Sequence, residues 1–228
     1  MDVAAAADSI PRIGNGDPHA RKARMRRLLL VRHASTEATR AAAFPGDEPL
    51  DERGRAAAAE LASALPDGCE ILSSPAARCV ETARAAGLTP QLDPALAECD
   101  FGSWTGKTLA ELHDSDSESV GAWMTDPAAC PHGGETLVRF AARVARWLDG
   151  QAEREGRAAA ITHAGVVKAA VVHALGAPLA AFWRIDVAPL SITELHAHDG
   201  SWTLARVNST GLRAAVPVDL RTGEGAHV

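Results

Sequence analysis

Three short stretches of this sequence end in groups that suit a phosphoryl anion. "LLLVRHAST", residues 28–36, sets four apolar residues before Arg32 and His33. "CEILSSPAAR", residues 69–78, runs an apolar segment into Ser73, Ser74 and Pro75 and then Arg78; "AAAITHAG", residues 158–165, ends on His163 with Ala164 and Gly165 behind it. A lone strand ending on Arg-His is more often structural than functional, because short motifs recur by chance. Three such endings form a constellation that a structural role explains poorly. A neutral imidazole can attack phosphorus, and the three equatorial oxygens of a transferring phosphoryl group need guanidinium or imidazolium donors around them. Arg32, Arg78 and a protonated His163 would supply that cage.

These groups meet only if the elements carrying them lie side by side. The chain alternates segments of strand and helix character, which predicts an α/β fold: a three-layer α/β/α sandwich with a mostly parallel central sheet. In such sheets ligands bind outside the carboxyl ends of the strands, where all three polar endings fall. Strands are expected over residues 28–33, 69–75 and 158–163. Helices are expected over residues 50–65, ending before Pro66, and over residues 76–87, closed by Gly87. A third covers residues 135–154, where Leu137, Phe140, Val144, Trp147 and Leu148 recur at helical spacing and mark a core face, and a fourth residues 165–176. Segments 191–198 and 201–208 flank Asp199-Gly200, the signature of a hairpin.

Composition narrows the function classes. A chain of 228 residues, 46% hydrophobic, can bury one substantial core, and a single domain over residues 25–228 follows. The formal net charge of -6 opposes nucleic-acid binding, whose footprint is basic, so any attraction for anions must be local. Cys69, Cys79, Cys99 and Cys130 form no CxxC pair and read as free thiols of a reducing, cytoplasmic compartment. Apolar stretches fall far short of the roughly 18 residues that span a bilayer, so no membrane partner is expected. Residues 1–24 mix alanine, glycine, proline and basic residues without a period and read as a flexible N-terminal arm.

Five motifs in chain order carry a family resemblance. "LLLVRHAST" resembles the RHG signature of the histidine phosphatase superfamily, with its phosphoglycerate mutase-like fold. "SSPAARCVETA" resembles that family's helix start after the second strand, "LAECDFGSWTG" its acid-bearing loop, "PHGGETL" its GES segment and "ITHAG" its second-histidine motif. The resemblance covers residues 26–195. It implies a nucleophilic His33 that forms a phosphohistidine, phosphoryl oxygens held by Arg32, Arg78 and His163, and a proton donor at Glu98. A single carboxyl can serve first as acid to the leaving alkoxide and then as base to the hydrolysing water. The reaction implied is metal-independent and cofactor-free hydrolysis of a small phosphorylated metabolite. The "ECDFGSWTG" form and the short insert after Trp104 resemble the family's phosphatases, including the α-ribazole phosphate type, more than its mutases. Phosphoglycerate mutase-type transfer and a non-catalytic phosphate-binding protein are the alternatives.

Two positions depart from the family pattern. Ala34 replaces the glycine that usually follows the nucleophile, and Thr39 stands where many members carry a phosphate-touching asparagine. The substrate-binding set is Ser35, Thr39, Trp104, His132 and Ala164. Ser35 and Thr36 equally suit turn or helix-cap roles, as hydroxyl residues after a strand often do. His173 reads as a core histidine of an apolar helix, and residues 113–119, "HDSDSES", as a solvated acidic loop near the rim. His196 and His198 share a strand face, but no third ligand completes a metal site. Substrate identity and oligomeric state, a homodimer included, stay open.

Overall fold

The computed structural model describes residues 25–210. The expected arm, residues 1–24, lies outside them, as do the residues beyond 210. Strand β1 (Met25–Arg32) carries the apolar run Leu28 to Val31 through the centre of a six-stranded sheet of order β3-β2-β4-β1-β5-β6. Strands β2 (Glu70–Ser73), β3 (Gln91–Leu92) and β4 (Gly156–Thr162) run parallel with it, whereas β5 (Ile192–His198) returns antiparallel to β1 and the edge strand β6 (Ser201–Ser209) runs antiparallel to β5. The mostly parallel sheet is therefore mixed at one edge. Asp199 and Gly200 both take positive φ, +49° and +80°, the pair of left-handed residues that a two-residue hairpin turn needs.

Helices cover both faces because alternate residues of the central strands face opposite ways. On one face Leu28, Leu30, Ala158 and Ala160 pack beneath α6 (Leu137–Ala152) and α7 (Ala164–Ala174). The α6 positions read from spacing, Leu137, Phe140, Val144, Trp147 and Leu148, all lie in that core. On the other, Leu29, Val31, Ala159 and Ile161 meet Leu61 of α3 (Leu61–Ala64) and Cys79 and Ala83 of α4 (Ala77–Ala85). Gly87, at φ +71°, ends the α4 segment, its N–H donating to Arg84 O at 2.9 Å.

Several expectations need correction. The helix expected over residues 50–65 is two helices, α2 (Glu52–Ala58) and α3, because Ala58 packs with Ala34 and Leu50 while Leu61 and Ala64 pack against the sheet. The acidic run 113–119 is not a loop: it lies within α5 (Leu109–Thr125), which the reciprocal Thr108–Glu111 capping box starts and buried Leu112 and Val120 anchor. Asp116, at φ -157° and ψ 65°, breaks that helix, and its Oδ1 accepts from Ser119 N at 3.1 Å as the second half begins. His173 is not a core histidine; it faces solvent and lies 2.6 Å from Asp149 Oδ1. No helix among the described residues is long and apolar enough to cross a membrane.

Candidate active site

Register brings the polar strand endings together. Arg32 is paired with Thr162 across β1 and β4, and Ser73 with Ile161 across β4 and β2. His33 N donates to Thr162 O at 2.8 Å, so His33 and His163 emerge from neighbouring strands, with their ring centroids 5.3 Å apart. Ala34 N donates to the Thr82 hydroxyl of α4 at 3.0 Å, fixing the chain just past His33.

Hydrogen bonding and charge set the state of each imidazole. His33 Nδ1 lies 2.7 Å from Ala34 O, a bond only an N–H can make, so the neutral ring keeps its lone pair on Nε2. Burial, and then the adjacent Arg78 charge, push the His33 pKa down to about 3. Arg78 Nη2 donates to His163 Nδ1 at 3.1 Å, which leaves the His163 proton on Nε2, 2.8 Å from Ser74 Oγ. Burial and Arg78 hold His163 well below its ordinary pKa. The expectation of a protonated His163 is thus corrected for the free site: an arginine donates to the nitrogen that would carry the extra proton. Arg78 Nη1 is pinned to Gly46 O at 2.6 Å and Arg32 Nη1 to Val187 O at 2.6 Å, while each keeps a buried Nε–H without a hydrogen-bond partner. Cys79 Sγ lies 3.6 Å from His163 Nε2, but burial raises its pKa to about 12 and it is a neutral thiol.

Glu98 approaches from the loop after a 3-10 turn at Pro94–Leu96. Its carboxylate accepts from Cys99 N at 3.0 Å and from Gly165 N, in the first turn of α7, at 3.2 Å. A Cβ at residue 165 would collide with Glu98 Oε1, so the glycine of "THAG" is the space the acid occupies. Arg143 of α6 clamps the same loop from below: Nη1 donates to Ala95 O and Ala97 O, both at 2.9 Å, and Nη2 to Glu98 O at 3.2 Å. Glu135 of the "GGET" segment holds Arg143 in turn, Nη2 to Oε2 at 2.8 Å.

A cavity of about 310 Å³ opens over these groups. Of the residues expected from sequence, Arg32, His33, Thr39, Glu98 and Ala164 line it, and Arg78 and His163 are buried beside His33. Three of the substrate-binding expectations are corrected. Ser35 Oγ bonds Asp51 Oδ1 at 3.0 Å, supporting the cap of α2, and does not line the cavity. Trp104 and His132 are buried in a cluster of rings with Phe44, Phe101 and Trp123, where Trp104 lies 5.3 Å from Phe44 and 5.2 Å from His132. They back the wall that Phe44 and Phe101 present to the cavity. Thr39 lines the cavity, but its hydroxyl is committed in the capping box of α1 (Glu37–Ala41), donating to Thr36 O at 2.8 Å. Sequence reasoning missed Arg143, whose three carbonyl partners are distant in the chain, and Lys168, which also lines the cavity. The latter's signal was available: it is the one charge in the apolar run "GVVKAAVVHALG".

Comparison with known proteins agrees with this geometry. Residues 28–210 match the histidine phosphatase superfamily (branch 1). The chain is 34% identical over 198 residues to the bifunctional protein Rv2228c of Mycobacterium tuberculosis, covering 81% of this chain and 54% of that protein, and so spans about half of that relative's length. It is 31% identical over 195 residues to the adenosylcobalamin/alpha-ribazole phosphatase of Salmonella typhimurium, covering 80% of this chain and 96% of that enzyme. The crystal structure of a putative alpha-ribazole-5'-P phosphatase from Escherichia coli superposes with a TM-score of 0.74 at 28% identity, over 83% of this chain and 98% of that one. The sheet, with helices on both faces and two imidazoles at the carboxyl ends of its parallel strands, places the chain in the α/β class. Within that class, the chain belongs to the histidine phosphatase superfamily.

Proposed function

We propose that this protein is a phosphomonoesterase acting on a small phosphorylated metabolite through a phosphohistidine on His33. The observation that carries the reading is the neutral His33 ring at the cavity floor, its Nδ1 tied to Ala34 O and its Nε2 lone pair free, between Arg32 and Arg78. Nε2 attacks phosphorus and forms the N–P bond while the bond to the leaving oxygen breaks; Glu98 supplies that oxygen with a proton. Arg32 and Arg78 offset the charge on the equatorial oxygens, and the incoming dianion favours protonation of His163 as a further donor. Water then attacks the phosphohistidine, loses its proton to Glu98, and releases phosphate and the His33 ring. Ala164 and Thr39 line the space for the alcohol portion. The named activity of the Salmonella relative supports hydrolysis as the outcome.

The test is phosphate release from a panel of phosphomonoesters with intact protein and with His33→Ala. Turnover should vanish in the variant, together with any acid-labile phosphoenzyme trapped by rapid quench. Substantial residual turnover, or isomerisation of 3-phosphoglycerate without phosphate release, would overturn the reading.

A further inference from the structure

Beyond its phosphoryl end, the cavity offers a substrate one free charged group. The wall built on α1 is apolar: Ala38, Ala42, Phe44 and Phe101 face the space, and the Thr39 hydroxyl proton is already donated to Thr36 O. Arg32 is anchored on Val187 O, and the Glu98 carboxylate already accepts from two backbone N–H groups. Lys168 differs. It is half-buried at the cavity, it makes neither a hydrogen bond nor an ion pair among the described residues, and its Nζ rests 5.4 Å from the centre of the Phe182 ring.

Its position in the cavity follows from the helix and from its charged neighbours. Lys168 stands four residues after Ala164 on α7, roughly 6 Å further along the axis. The charges acting on it are Glu98 and Asp186, which favour the ammonium, and Arg32, which opposes it. The Arg78 charge instead acts on His33 and His163, and Arg78 and His163 are not among the residues lining the cavity beside Lys168. Lys168 therefore sits at the Glu98 end, where the leaving oxygen and the alcohol portion of a substrate must lie. A partly desolvated ammonium that touches a ring face, with carboxylates near but none in direct contact, has lost hydration without gaining an ion-pair partner.

We propose that Lys168 determines specificity by binding a second anionic group, a carboxylate or a second phosphate, on the alcohol portion of the substrate. This rests on the phosphomonoesterase reading of the same site. The substrate class is then a phosphomonoester that carries another anion on one side and an apolar surface against the α1 wall on the other. A neutral hydroxyl would accept a hydrogen bond from Lys168 but would not replace the lost hydration of its charge.

The experiment compares three competitive inhibitors of p-nitrophenyl phosphate hydrolysis that differ in one substituent. These are 3-phosphoglycerate with a carboxylate, glycerol 1,3-bisphosphate with a second phosphate, and glycerol 3-phosphate with a hydroxymethyl group. The intact protein should bind at least one anion-bearing compound about tenfold or more tightly than glycerol 3-phosphate, and which one separates carboxylate from phosphate. In Lys168→Met the preference should shrink to within about twofold, whereas Lys168→Arg should keep most of it. Lys168→Gln replaces the methionine variant if that one does not fold. No preference in the intact protein, or a preference that survives removal of the ammonium, overturns the proposal. Failure of the intact protein to hydrolyse p-nitrophenyl phosphate refutes the phosphatase reading instead, and the same three compounds are then ranked by calorimetric binding.

Discussion

In the proposed reaction Glu98 and His33 divide the chemistry between two residues whose surroundings are opposite. The imidazole is buried among cations, while the carboxyl is held at a loop by backbone N–H groups. If Glu98 protonates the leaving oxygen, Glu98→Gln should slow hydrolysis of alkyl phosphates by about 10²- to 10⁴-fold. p-Nitrophenyl phosphate needs little protonation, so phosphohistidine formation from it should suffer much less. The variant should give a burst of nitrophenol near one equivalent, then a slow steady state, in stopped-flow absorbance; equal losses on both substrates without a burst would place the acid elsewhere. At this scale the sequence was most informative. Arg32, His33, Arg78, Glu98 and His163 sit in short motifs, and the structure brings the five together around one cavity. Ser35, Trp104 and His132 sit in the same motifs yet do not line the cavity, because a motif does not say what a side chain packs against. Lys168 was legible only as an anomaly of composition.

At the scale of elements, β1, β2, β4 and the helices after them were readable from apolar runs and caps, and they bring the floor of the site together by register alone. The opposite case is α5. Its acidic face resembles a solvated loop, and only the Thr108-x-x-Glu111 box signals the helix. Arg143 shows what element-level pattern cannot reach: on the period of α6 it is one more polar position, yet it bonds three carbonyls of the loop that delivers Glu98. Arg143→Met should free that loop. We expect a loss of roughly 10- to 100-fold on alkyl phosphates, since small misplacements of a catalytic group are costly, with a smaller loss on p-nitrophenyl phosphate. Steady-state assays on both substrates check this, and a uniform loss would mean that Arg143 only stabilises the fold.

For the whole molecule, two buried neutral imidazoles make stability depend on acid. His33 is held at about 3 against 6.5 in the unfolded chain, and His163 is displaced in the same direction. Between those values the unfolded chain binds protons that the folded chain refuses. The stability from excluding them is present above pH 6.5 and is lost as pH falls from about 6.5 towards about 3. Calorimetry should show Tm falling across that window, and His33→Ala should flatten part of the slope; identical slopes in both proteins would contradict the burial argument. The layout has a further consequence. The floor of the cavity grows from the sheet and its two large cores, whereas the wall of Phe44 and Phe101 rests on the small ring cluster with Trp104, Leu112 and Val120, held together by the bridge between Ala43 and Thr108 and meeting the larger core where Trp123 packs on Trp183. Chemistry and recognition therefore stand on foundations of unequal strength. On the proposed function, mild heat or denaturant should blur which alcohol is accepted before it weakens the hold on phosphorus, and sequence drift in the ring cluster could change the substrate without touching His33, Glu98 or the residues around them.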